Sequence, residues 1–135
     1  MRQADPSQQK IMVVDNNSKY VRLIERILQI NSYQNILSIT DPMKAVTIYN
    51  DSRPDLLLIN IEMPDIDGFE VLKMIHYERQ DEPLPVIMFS DQTDGSQKAK
   101  ALEFGVQDVI AKPFSQREIV DSVNRFFKQH SPLGN

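Results

Sequence analysis

The stretch "LLLINIEMPDIDG", residues 56–68, decides the fold. Its first six residues are apolar except for Asn60. A strand with one wet face alternates apolar and polar side chains, so an uninterrupted apolar run predicts a central strand covered on both faces, as in a parallel sheet between two helical layers. Pro54 ends the helix before the run, and the loop through Met63-Pro64 and Asp67-Gly68 leads into a helix expected to reach about Tyr77. Asn60 stands where the run stops, at the carboxyl end of the strand.

Working outward, the same strand-then-helix unit repeats. Residues 11–14 form an apolar run that halts at Asp15-Asn16-Asn17-Ser18, and Tyr20, Leu23, Ile24, Ile27 and Leu28 then predict a helix over 18–30 with one apolar face. Residues 36–39 read as a short strand. Asp41-Pro42 supplies an N-cap and a proline for a second helix, with Met43, Val46 and Tyr49 expected inside. Pro83 and Pro85 bracket the entry to a central strand over 86–89, and a weaker helix over 96–104 is closed by Gly105. A last strand at Val109-Ile110 precedes Lys112-Pro113. Ser115 and Glu118 form a capping box for a final helix buried through Ile119, Val123, Phe126 and Phe127.

Parallel strands must be joined by crossovers, so five strands alternating with five helices predict one doubly wound α/β domain with a five-stranded parallel sheet. Residues 1–9 read as a flexible leader, 10–129 as the domain and 130–135 as a tail or the start of a linker.

Composition narrows the function. The chain has 135 residues, 41% hydrophobic and 25% charged, which suits one globular domain. Its net charge of -4 and lack of a Lys/Arg cluster argue against direct binding of nucleic acid or an anionic membrane. There are no cysteines, hence no disulfide or thiolate–metal site. Neither a signal-peptide core nor a membrane-length apolar run is present, so a cytoplasmic place is expected. The glycines, Gly68, Gly95, Gly105 and Gly134, do not form a phosphate-binding loop. His76 and His130 read as solvated residues.

In an open α/β sheet the ligand cleft lies beyond the carboxyl ends of the strands. Those ends carry Asp15, Asn16, Asn60, Ser90 and Lys112. Singly, Asp15 and Ser90 read as helix caps, Lys112 as a solvated charge and Asn60 as a turn former. Gathered by one sheet edge, they make a polar site.

The set resembles the receiver domain of two-component response regulators over about residues 10–129. The stretches that carry the resemblance are "KIMVVDN", "PDLLLINIEMPDIDGFEVL", "PVIMFS" and "GVQDVIAKPF". The resemblance implies the sheet order 2-1-3-4-5, of flavodoxin-like type. It implies a phosphoacceptor aspartate at the position of Asn60 and two acidic Mg²⁺-binding residues at those of Asp15 and Asn16. It also implies a phosphate-contacting lysine at Lys112, a mobile hydroxyl at Ser90 and a cis peptide between Lys112 and Pro113.

Three positions depart from that pattern. A carboxamide at Asn60 has a delocalised nitrogen lone pair and cannot form an acyl phosphate. A neutral Asn16 weakens the metal site, because Mg²⁺ prefers charged oxygens and dehydrates reluctantly. Glu62 restores one negative charge at the rim, so weak Mg²⁺ binding through Asp15, Asn16, Asn60 and Glu62 is the most that is expected, and no cofactor is required. At Val109 the family usually has an aromatic switch residue. Valine has no ring to reorient when Ser90 moves.

Substitute nucleophiles are few. Asp55 lies five residues before Asn60, about 16 Å away at roughly 3.3 Å per residue and at the other end of the sheet. Asp65 and Asp67 read as turn or capping residues. Without phosphate or Mg²⁺, Lys112 and Asp15 would face each other and hold one standing conformation.

The expectation is therefore a non-enzymatic receiver-like module of a phosphorelay, a pseudo-receiver acting through a protein partner or an attached output domain by way of residues 96–129. A homodimer is left open. The alternative is a phosphoacceptor with weak phosphotransfer through Asp15 or a loop carboxylate.

Overall fold

The computed structural model of the chain describes residues 5–78, 85–92 and 95–129. Pro83, His130, the expected tail at 130–135 and the first four residues of the expected leader lie outside them. Within the remaining leader, Pro6–Gln8 form a 3-10 turn in which the Ser7 N–H donates to the Asp5 carboxylate.

Five strands follow: β1 Lys10–Val14, β2 Asn35–Ile39, β3 Leu56–Asn60, β4 Val86–Ser90 and β5 Asp108–Ala111. Between and after them come α1 Ser18–Ile30, α2 Ala45–Ser52, α3 Gly68–Glu78, α4 Ser96–Glu103 and α5 Gln116–Gln129. All neighbouring strands are parallel, as the alternation of strands and helices requires, and their order is β2-β1-β3-β4-β5.

The apolar run of β3 explains the two-layer core. All five of its residues are buried. Strand side chains alternate between faces, so Leu57 and Ile59 join Met12, Val14, Val86 and Met88 in a core under α2, α3 and α4. Leu56 and Leu58 join Ile11, Val13, Ile87 and Phe89 in a second core under α1 and α5. Each fully buried aliphatic side chain is worth about 1.5–3 kcal/mol of transfer free energy, and this pairing of faces makes the central strands apolar throughout.

Two expected core positions prove to be outside. Leu23 is 45% exposed, and the buried line of α1 runs through Val21, Ile24, Ile27 and Leu28. With Val21 at the head of that line, Leu23 falls on the flank of the helix. Met43 is 64% exposed because Pro42–Lys44 form a 3-10 turn ahead of α2. Residues three apart eclipse in such a turn, so Pro42 and Ala45 are buried and Met43 is rotated outward. The Asp41 cap is present as expected, its side chain accepting from the Met43 N–H.

Candidate functional site

The strand order reverses direction between β1 and β3, which opens the cleft at their carboxyl ends. Val14 pairs with Ile59, so Asp15 and Asn60 emerge side by side. Ser90 pairs with Ala111, and the Lys112 N–H donates to the Ser90 carbonyl at 2.8 Å, so those two residues also share the edge. Asp15, Asn60, Ser90 and Lys112 are buried, whereas Asn16 is exposed. Lys112-Pro113 is cis, as the resemblance implied.

Lys112 Nζ lies 2.7 Å from Asp15 Oδ2, and both side chains are almost wholly removed from solvent. The other carboxylate oxygen of Asp15 accepts from the Asn17 N–H at 2.9 Å. Tyr20, on the first turn of α1, places its ring centroid 3.8 Å from Lys112 Nζ, so the ammonium group is held between a carboxylate and an aromatic face. Phe114 packs against both Tyr20 and Phe89, which fixes this lid to the sheet.

Asn60 is 3% exposed, and its Nδ2 donates to the Glu62 carbonyl at 2.7 Å. Its Oδ1 is buried with no hydrogen-bond partner among the described residues. Leaving such an acceptor unsatisfied costs about 1–3 kcal/mol. The approach of α3 to this strand end is close. Gly68 N–H donates to the Ile61 carbonyl, and a Cβ on Gly68 would come within 2.5 Å of the Asn60 carbonyl oxygen.

The Glu62 side chain is engaged from the far side of the cleft. Ser90 Oγ donates to Oε2 at 2.7 Å, the Asp91 N–H to Oε1 at 2.8 Å and Gln97 Nε2 to Oε2 at 3.1 Å. Val109, half-buried, packs with Phe104 against the core under α2, α3 and α4.

These donors do not fit Mg²⁺. That ion takes oxygens in near-octahedral geometry, charged ones above all. Here both oxygens of Asp15 are engaged by protein donors, as are those of Glu62, and Asn60 contributes one neutral oxygen. No group of three acidic or histidine side chains suited to a metal occurs among the described residues.

Asp55 and Asp67 have structural partners. Asp55 bonds the Lys10 N–H at the opposite edge of the sheet, and Asp67 forms a reciprocal capping pair with Glu70 at the start of α3. Asp65 holds a left-handed backbone, φ 69°, in the loop between them. Sequence reasoning missed Tyr20, Asp91 and Gln97. For Tyr20 there was a signal, an aromatic residue in the first turn after Asp15. For Gln97 there was none.

The architecture and the site together define a receiver. The chain matches the model of the response regulator receiver domain over residues 11–124, and it belongs to that family. It is 32% identical over 111 residues to the probable transcriptional regulator ycf27 of Porphyridium aerugineum, covering 82% of this chain and 45% of that protein. It is 30% identical over 119 residues to the DNA-binding response regulator MtrA of Mycobacterium bovis, covering 88% and 50%. The chain thus spans about half the length of the curated relatives it matches. Among solved structures, a Francisella response regulator receiver domain superposes with a TM-score of 0.81 at 28% identity, covering 91% of this chain and 99% of that one. CheY in the CheX-CheY-BeF3-Mg complex of Borrelia burgdorferi shares the fold, with a TM-score of 0.80 at 22% identity, covering 92% and 98%. Among the described residues no helix is long and apolar enough to cross a membrane.

Proposed function

We propose that this receiver domain takes no phosphoryl group at Asn60 and signals by contact with a protein partner or by regulating an output domain joined to it. The observation that carries the reading is the chemistry and setting of Asn60. The residue at the reacting position is a buried carboxamide whose nitrogen already donates to the Glu62 carbonyl, and an amide cannot form an acyl phosphate. The neighbouring groups support the reading. Lys112 is neutralised by Asp15, and the one proton of the Ser90 hydroxyl goes to Glu62. Partner contact through residues 96–129, the face of α4, β5 and α5, is part of the proposal, as is the absence of an enzymatic role.

The test is incubation with acetyl phosphate and Mg²⁺ followed by intact mass. The expected result is an unchanged mass. A stable phosphoryl adduct that disappears in an Asp15→Ala variant would instead establish phosphotransfer through Asp15. Amide shift mapping with beryllofluoride and Mg²⁺ is the companion measurement, with no shifts expected to spread from Asn60 to β5.

A further inference from the structure

Glu62 stands two residues beyond Asn60 in the loop after β3, yet the groups that hold its carboxylate come from β4, the residue after it and α4. Ser90 Oγ and Gln97 Nε2 both reach Oε2, and the Asp91 N–H reaches Oε1. Ser90 is 1% exposed, and Glu62 and Gln97 are half-buried. A long glutamate side chain loses about 1.5–2 kcal/mol of rotamer freedom when it is fixed. Three converging donors, each making a charge-assisted bond, offset that loss.

We propose that Ser90 Oγ, the Asp91 N–H and Gln97 Nε2 form a niche for a carboxylate-sized oxyanion, and that its resident ligand is the chain's own Glu62. The carboxylate ties the β3–α3 loop to the end of β4 and the first turn of α4. The inference deepens the reading above, on which it rests in taking Asn60 as unmodified. Two consequences follow from donor arithmetic. The single Ser90 proton has Glu62 Oε2 at 2.7 Å as its near acceptor and the Gln92 carbonyl at 3.4 Å as its far one, and while it is donated to either it cannot reach a group on Asn60. A free oxyanion enters only by displacing Glu62, so the position of α4 is set by a residue of the chain rather than by a transferred group.

The experiment uses the whole chain, with Glu62→Ala and Glu62→Gln variants and sodium formate as the free carboxylate. Sodium chloride at equal ionic strength is the control. No phosphoryl donor or Mg²⁺ is present, so its failure is distinct from failure of the acetyl phosphate test. Amide hydrogen exchange is read at Asp91 and through α4. Loss of a bond to a charged acceptor in Glu62→Ala is expected to speed exchange of the Asp91 amide about tenfold or more. Formate is expected to restore protection in that variant and to leave the wild type unchanged. Glu62→Gln keeps the shape without the charge and is expected to lose less protection, which keeps the test decisive should the alanine variant not fold. Wild-type exchange at Asp91 in both variants overturns the proposal, and so does recovery in Glu62→Ala that is no greater with formate than with chloride.

Discussion

Lys112 Nζ and Asp15 Oδ2 are 2.7 Å apart, and the two residues are separated by 97 positions in the chain. The pair closes the sheet edge between β1 and β5 across two intervening strands, with Tyr20 covering the ammonium group. Removing one member of a buried ion pair leaves an uncompensated charge, which typically costs about 3–5 kcal/mol. Asp15→Ala and Lys112→Met should each lower unfolding free energy by about that amount. The double variant should lose less than the sum. Urea denaturation of the four proteins measures the coupling directly, and strictly additive losses would argue against it.

Asn60 makes a second prediction. Its Nδ2 donates to the Glu62 carbonyl at 2.7 Å within a buried site. Asn60→Asp replaces that donor with an anion facing the same carbonyl oxygen. In the absence of Mg²⁺ at neutral pH the variant should be destabilised by about 1–3 kcal/mol. The urea midpoint should fall with an unchanged slope. Stability equal to the wild type would show that the Asn60 amide contributes nothing to the standing conformation.

Gly68 fits because it has no side chain. A Cβ there would lie 2.5 Å from the Asn60 carbonyl oxygen and 2.9 Å from Met88 Cε. The methionine end can move, but the carbonyl belongs to the central strand. Gly68→Ala should therefore cost about 1–3 kcal/mol despite the better helix propensity of alanine. Thermal unfolding checks it, with a melting temperature below that of the wild type expected.

Tyr33 gives a pH dependence. Its ring is buried against Phe127 and its hydroxyl donates to Asn124 Oδ1 on α5. Burial raises its pKa above the usual tyrosine value of 10.0. A group whose folded pKa is raised binds its proton more tightly in the native state. Its contribution is full below pH 10 and is lost as pH rises from there through the folded value. The difference in unfolding free energy between wild type and Tyr33→Phe, followed by urea denaturation from pH 8 to 11, should shift against the wild type only at the alkaline end. A flat difference would contradict the assignment.

Much of this protein was legible in one dimension. The continuous run before Asn60, the i, i+3, i+4 spacing of Ile24, Ile27 and Leu28, and the Ser115–Glu118 capping box are local signals. They act over a few residues, where backbone geometry leaves little choice. The errors were also local in origin. Leu23 and Met43 fit an ideal periodicity, but a 3-10 turn before α2 and the seating of Val21 in α1 shifted the phase of what lies inside.

The order and type of the elements along the chain, and the sheet edge that collects Asp15, Asn60, Ser90 and Lys112, follow from residue chemistry and spacing. The Lys112–Asp15 pair was expected from that edge and is present; tertiary structure alone decided the other contacts, Tyr20 over Lys112 and Glu62 with Ser90, Asp91 and Gln97. A strand's period says which face a side chain takes, whereas a hydrogen bond needs two atoms within about 3 Å of each other. Groups as far apart in sequence as Glu62 and Gln97 meet that condition only once the sheet has twisted and the helices have packed onto it.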